Sequence, residues 1–421
     1  MTPSRISRIE VTPVAFADPP LLNVVGVHQP WALRAIVEVS TDDGCLGLGE
    51  TYADEAHLAR LEAVARELPG HDPYHLAGLR RVVAGVLSTG DGGAGASFGG
   101  MLAVESALDT VYSPFEVACL DIQGHRAGRP VSDLLGGAVR ERVPFSGYLF
   151  YKWGAHPGEQ PDPWGEALTP EQLVAQARRM VEGWGFGSLK LKGGVLPPPE
   201  ECAAVEALRE AFPELPLRLD PNGAWTPETS MKVAERLSGV VEYLEDPTPG
   251  IDGMAQVSAA TDIPLATNMC VIAFEHLRPA IAADAVQVVL SDHHLWGGLR
   301  RSALLAGITE TFGLGLSMHS NSHLGVSLAA MVQLAAASEN LSYACDTHYP
   351  WKSQDVVAPG VLDFVDGAVE VPSGPGLGVE LDRDRLGELH ERYLSCGVRR
   401  REDTAYMRTF DPAFVPNTAR W

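Results

Sequence analysis

The chain has 421 residues, with 54 acidic against 32 basic side chains and a formal net charge of -22. A surface this acidic argues against nucleic acid or an anionic membrane as a partner, and an anionic substrate would need a locally positive pocket. Hydrophobic residues at 45% and charged residues at 20% suit a globular protein with a large core. In chain order, the N-terminal "MTPSRISRIEVTPVAF" lacks the apolar run of a signal peptide, and no later segment is apolar for the length of a membrane helix. The six cysteines, Cys45, Cys119, Cys202, Cys270, Cys345 and Cys396, form no C-x-x-C pair. A zinc cluster or disulfide framework is therefore not expected, and the expected location is the reducing cytoplasm.

"ISRIEVTPVAF" and "LRAIVEVSTDDGCLGLGET" read as extended, with "DDG" as a hairpin turn. "EAHLARLEAVARELPG" and "SPFEVACLDIQGHRAG" have helical spacing and a terminal glycine. Two segments read as loops, Ala17 to Pro30 and Ser88 to Gly100. The second is glycine-rich but lacks the GK[ST] of a phosphate cradle, so it reads as a mobile loop. From about residue 140 short apolar runs recur: "FSGYLFY", "SLKLKGG", "LRLDPNG", "VEYLEDP", "IPLATNM", "VQVVLSDHH", "LGLSMHSNS" and "YACDTHYP". After the first, their ends lie roughly 23 to 29 residues apart, the length of a strand plus a returning helix. Such a series predicts a parallel barrel. Beyond about residue 352 the pattern gives way to a Gly/Pro-rich stretch, one helix and a tail.

In such a barrel, functional groups sit at the C-terminal ends of the strands. The runs end in Lys190 and Lys192, Asp220 with Asn222, Glu245 with Asp246, Asn268, Asp292, His319 with Asn321, and His348. Asp220, Glu245 and Asn268 lie on three consecutive units and offer oxygen only, which suits magnesium. Lys190 and Lys192 alternate with leucines, so both ammonium groups share one face of a strand. Their mutual repulsion and a nearby metal are expected to lower the basicity of one of them, making it a base near neutrality. Asp292 and His319 end adjacent strands, and an aspartate fixes a histidine's tautomer and supports its protonated form. His293 and His294 show no evident partner. "HSNSH" has the histidine spacing of a zinc helix but lacks its glutamate, so zinc is not expected there. Together these groups describe removal of a proton next to a carboxylate, with the developing charge held by a metal ion and an ammonium group.

The series K-x-K, D-P-N, E-D-P, A-T-N, S-D and H-S-N resembles the enolase superfamily. "PPLLNVVGVHQPWALRAIVEVSTDDGCLGLGETY" and "PGLGVELD" are similar to the terminal segments of its glucarate dehydratase group. The resemblance implies an α+β capping domain from both chain ends, residues 1–138 and 356–421, around a (β/α)7β barrel at 139–355. It implies Mg2+ at Asp220, Glu245 and Asn268, Lys192 as one base with Lys190 beside the carboxylate, and His319 with Asp292 as the other. It also implies a substrate pocket lined by Asn23, His28, Tyr148, Phe150, Asn222, Asn321, His348 and Arg401, with the loop carrying Asn23 and His28 as a lid. The implied reaction is loss of water from a six-carbon diacid sugar, D-glucarate or L-idarate, giving 5-keto-4-deoxyglucarate. The expected partners are this small substrate and further copies of the chain. An epimerase or racemase on the same site, and a catalytically silent binding paralogue, are the other readings the residues leave open.

Overall fold

The computed structural model describes residues 4–89 and 106–421. The glycine-rich loop read at Ser88 to Gly100 therefore lies outside the described residues, apart from Ser88 and Thr89 at the end of a helix, Leu76–Thr89. The N-terminal part opens with an antiparallel sheet of three strands, Ile6–Ala17, Trp31–Thr41 and Leu46–Tyr52, in sequential order. The expected turn joins the last two, with Gly44 at φ 83°. Helices Glu55–Glu67, Leu76–Thr89 and Ala107–Ala127 follow. The last is longer than the sequence implies. Its N-cap is Ser106, and Pro114, which reads as a helix start, lies inside it. Burial of Val111, Tyr112 and Phe115 around that proline outweighs the hydrogen bond it removes.

The two glycines of "LGLGE" bring sheet and helix together. A Cβ on Gly47 would stand 2.0 Å from Ala118 O, and one on Gly49 2.1 Å from Pro114 O. The strand can lie against the helix backbone only because both side chains are missing.

All eight apolar runs become strands of one parallel barrel: Arg142–Phe150, Leu189–Lys192, Leu217–Asp220, Tyr243–Glu245, Leu265–Thr267, Val288–Ser291, Gly315–Met318 and Cys345–Thr347. Each of the first seven is followed by a helix that returns the chain. Neighbours pair in sequence, and the eighth strand pairs parallel with the first through Cys345 and Phe145, Asp346 and Ser146, and Thr347 and Gly147. The seam between the seventh and eighth strands is closed by the bridge of Leu316 to Leu341, by the N–H groups of Ser342 and Tyr343 donating to Leu316 O, and by Ser317 Oγ donating to Ala344 O at 3.0 Å. This is a (β/α)7β barrel carrying an α+β cap.

Two acids of the N-terminal part cap barrel helices. Glu116 accepts from the N–H groups of Leu299 and Arg300, and Glu50 from those of Leu324 and Ser327. Each sits at the positive end of a barrel helix, Leu299–Thr311 or Gly325–Ala337. The C-terminal helix Arg383–Ser395 lies on the first strand of the N-terminal sheet, where His390 Nδ1 meets Pro13 O at 2.7 Å. The tail then crosses the barrel mouth. Asn417 Nδ2 donates to Gly194 O at 2.9 Å, and Ala419 N to Gly223 O at 2.8 Å.

The segment from Ala17 to Pro30, expected as a mobile loop, is a packed hairpin of Leu22–Asn23 and Gly26–Val27. Leu21, Val24 and Val27 are fully buried beneath the C-terminal segment. Leu22 N donates to Tyr151 O, Asn417 N to Val24 O and Thr404 Oγ1 to Val25 O. Those partners lie far away in sequence, which is why the segment reads as a free loop.

Gly49→Ala is expected to lower stability by roughly 1–3 kcal/mol, because backbone must move against backbone. An unfolding midpoint equal to that of the parent protein would contradict the close approach described.

Candidate active site

Strand pairing sets Lys190 beside Tyr148 and Lys192 beside Asp220. Leucines at 189 and 191 pack outward in the core, so both lysines point into the barrel, where Lys190 is fully buried and Lys192 nearly so. Acids at the neighbouring strand ends compensate the two charges. Lys190 Nζ lies 2.7 Å from Asp346, 2.5 Å from Glu245 and 3.5 Å from Asp220, and 4.6 Å above the Tyr148 ring. Lys192 Nζ donates to Asp220 at 2.8 Å and to Asn222 Oδ1 at 2.7 Å. Burial acts to lower the Lys190 pKa, but Asp346 and Glu245 reverse this and hold it well above the ordinary lysine range. Lys190 is therefore not the lysine of lowered basicity that repulsion between the pair suggests.

Asp220, Glu245 and Asn268 end the third, fourth and fifth strands and are buried together. Burial, followed by the charge of Asp220, pushes the Glu245 carboxyl well above its ordinary pKa. Burial raises Asp220 as well, but Lys192 and Lys190 reverse that and bring it below the ordinary range. Glu245 Oε2 meets the Lys190 ammonium, but among the described residues Glu245 Oε1 and Asn268 Oδ1 have no hydrogen-bond partner. Buried oxygens without partners are costly unless something else completes them. A hard divalent cation suits an all-oxygen donor set of this kind. With all three carboxyls ionised, Asp220, Glu245 and Asp346 against Lys190 and Lys192 leave one net negative charge, which a divalent ion would turn into one positive. Asp246 holds Asn268 in place, accepting from Thr267 Oγ1 at 2.6 Å and from Asn268 N at 2.8 Å.

On the other side, Asp292 Oδ2 faces His319 Nδ1 at 3.1 Å. Burial would raise the Asp292 pKa; His294 and His319 beside it hold it well below the carboxylate range. His294, which shows no partner in the sequence, is fully engaged. Its Nδ1 meets Asp292 Oδ1 at 2.7 Å, and its Nε2 meets Arg34 Nη2 and Ser327 Oγ, each at 2.8 Å. His293 packs against it with ring centroids 4.0 Å apart and the ring planes tilted by 32°. Asp292, His293 and His294 have the donor types and proximity for a metal, but both ring nitrogens of His294 are taken and a guanidinium adjoins. We read them as a hydrogen-bonded network.

Above these groups lies a polar pocket walled by Tyr148, Phe150, Lys192, Asn222, Asn268 and His319, together with Asn321 and His348 from the last two strand ends. Asn23 and His28 of the N-terminal hairpin and Arg401 of the C-terminal segment close it. The structure thus gathers every residue expected to bind substrate. Lys190, Asp220, Glu245 and Asp292 stand behind the wall. His28 is oriented by Asp18 at 3.1 Å, and Arg401 by Asp403 at 2.9 Å. Sequence reading missed Asp346. It lies one strand residue before Thr347 and His348, and its inward direction follows only from the barrel's register.

Residues 172–385 match the model of the enolase C-terminal domain-like family, half of the chain. The chain belongs to the enolase superfamily. A probable glucarate dehydratase from Streptomyces coelicolor is 52% identical over 426 aligned positions, covering 99% of each chain. A crystal structure of an enolase from Mycobacterium smegmatis complexed with tartrate is 64% identical, with a TM-score of 0.95 over 100% of this chain and 99% of that one. Another, from Thermobispora bispora and complexed with magnesium and formate, is 60% identical, with a TM-score of 0.96 over 99% and 100%.

If the three oxygens of this superfamily member hold magnesium, adding the ion to chelator-treated protein raises the unfolding midpoint. The gain grows with concentration to about 2.7 kcal/mol at a hundredfold excess over Kd. Asn268→Ala and Glu245→Gln should shrink that gain. A midpoint unaffected by magnesium in the parent protein would contradict the site.

Proposed function

We propose that the chain is a magnesium-dependent hydro-lyase acting on a six-carbon diacid sugar, D-glucarate or L-idarate, to give 5-keto-4-deoxyglucarate. The observation that carries this reading is the arrangement of two different proton-handling groups, Lys192 and Asp292-backed His319, in the walls of one pocket that also reaches Asn268. The relative named a probable glucarate dehydratase and the superfamily neighbour that holds tartrate, a short hydroxy-diacid, support it.

A proton next to a carboxylate is a weak acid, and its removal gives an enediolate with extra negative charge. The ammonium of Lys190, kept protonated by three carboxylates, contributes positive charge beneath the pocket floor. Magnesium bound by Asp220, Glu245 and Asn268 would add Lewis-acid stabilisation of the same charge. Lys192 as its free amine, or His319 as its neutral imidazole, takes the proton from C5, according to the configuration of that carbon. His319 delivers a proton to the departing C4 hydroxyl: the one it took from C5, or, where Lys192 is the base, one it held beforehand, with Asp292 3.1 Å away compensating its imidazolium form. Arg401 and His28, held by Asp403 and Asp18, would bind the distal carboxylate.

Groups on both sides of the pocket also favour a second reading, inversion at C5 without loss of water. Product analysis separates the two. A keto product that reacts with semicarbazide supports dehydration, and an epimer alone supports inversion. With unchanged unfolding midpoints, Lys192→Ala is expected to lower kcat by roughly 10²–10⁴-fold on the epimer whose C5 proton faces Lys192, and His319→Asn on both epimers. Near-parental turnover in any of those cases would refute the role of the residue replaced. Chelation should abolish turnover and magnesium restore it; recovery with zinc alone would contradict the oxygen donor set.

A further inference from the structure

The chemistry proposed above uses one oxygen of Asp292, the one facing His319. The other oxygen accepts from His294 twice, from the ring Nδ1 at 2.7 Å and from the backbone N at 2.9 Å. If His294 carried a positive charge, it would compete with His319 for the same carboxylate. What prevents this comes from the other domain. Arg34, on the second strand of the N-terminal sheet, places Nη2 2.8 Å from His294 Nε2. A guanidinium has N–H donors and no acceptor. Ser327 Oγ, also 2.8 Å from His294 Nε2, takes an N–H of Arg34 at 3.2 Å and so turns its own O–H toward His294. With both neighbours donating, His294 Nε2 presents its lone pair, its one proton sits on Nδ1, and the ring is neutral. Arg34 cannot turn away. Its Nε donates to Glu50 at 2.8 Å, its Nη2 also reaches Ser327 Oγ at 3.2 Å, and it lies 4.7 Å over the Tyr52 ring. Glu50 is fixed in turn by the N–H groups of Leu324 and Ser327.

We propose that Arg34 is a positioning residue for His319: by holding His294 as a neutral Nδ1–H donor, it reserves the negative charge of Asp292 for the imidazolium that forms when His319 accepts a proton. This rests on the reading of His319 as a proton-handling group. Among the described residues, the remaining titratable groups around the pair do not supply a rival cation. Burial holds His293 and His323, whose rings adjoin His294, well below the histidine range, and lowers His57 on the capping side to about 3. Burial likewise keeps His348 well below it. Across the pocket, His319 faces Lys192, His28 and Arg401, which are committed to Asp220, Asp18 and Asp403. Without Arg34, His294 is free to take a second proton on Nε2. Two imidazolium rings would then divide one carboxylate, and His319 would become the weaker base.

The test has two arms. In wild-type protein with 15N-labelled histidine, the His294 Nε2 resonance, assigned against His294→Gln, should be that of an unprotonated ring nitrogen from about pH 6 to pH 8. A protonated Nε2 in that range would overturn the proposal, whatever the variants do. In the second arm Arg34→Gln is combined with Glu50→Gln, so that no carboxylate is stranded in the core. With whichever C5 epimer, D-glucarate or L-idarate, loses C5 exchange in His319→Asn, and saturating magnesium, kcat should fall about 10- to 100-fold with little change in KM, and the acid limb of the kcat–pH profile should move to lower pH. Arg34→Lys, which restores a donor lacking an acceptor, should recover the profile. A folded double variant with parental kcat and pH profile would overturn the proposal. If His319→Asn is inactive in the same assay, that failure belongs to Arg34 alone; if His319→Asn is active, the reading of His319 itself fails.

Discussion

Two ammonium groups inside a barrel repel each other, and each is expensive to bury. The rest of the site follows from how this chain solves that problem. Three carboxylates from the third, fourth and eighth strands close around Lys190, and one of them also holds Lys192. The balance is one charge short of neutral, on the side that invites a divalent cation. Lys190 is thereby fixed as a permanent charge, while Lys192 is the lysine that reaches the pocket wall. One strand thus supplies two lysines with different duties, and register separates them: the inner faces Asp346 across the barrel, the outer faces Asp220 and Asn222 at the rim.

The second domain completes the site as well as shielding it. Glu50 and Glu116 bind the N-termini of barrel helices, fixing the N-terminal sheet over the mouth. On that base the hairpin with Asn23 and His28, and the segment with Arg401, close the pocket. The same Glu50 holds Arg34, which reaches the histidine pair. Docking of the domains and the hydrogen bonding of the histidine pair are thus linked through a few buried charged groups. Mutations at the interface should change chemistry as well as stability.

Much of the barrel was legible because its strands are buried on both faces and end abruptly in polar residues. Each apolar run therefore marks a strand, and its last residues mark the mouth. Asp220, Glu245, Asn268, Asp292 and His319 could be found this way because each is local to its own strand end. What could not be read depends on distant partners. The apolar hairpin at residues 21–27 looks like a loop until the C-terminal segment covers it. His294 looks unpartnered because Arg34 lies 260 residues away. Asp346 sits within its strand, where only register shows which way it points.

The central claim is that two groups approach the carbon beside a carboxylate from opposite sides. Proton NMR of D-glucarate and L-idarate in deuterium oxide, with the magnesium-loaded protein, tests it most directly, because exchange at C5 reports proton removal even when elimination is blocked. Each single-base variant, at Lys192 or at His319, should still exchange the epimer whose C5 proton faces the remaining group and lose the other. Failure of the intact protein to exchange or consume either epimer would contradict the account, as would identical epimer preference in the two variants.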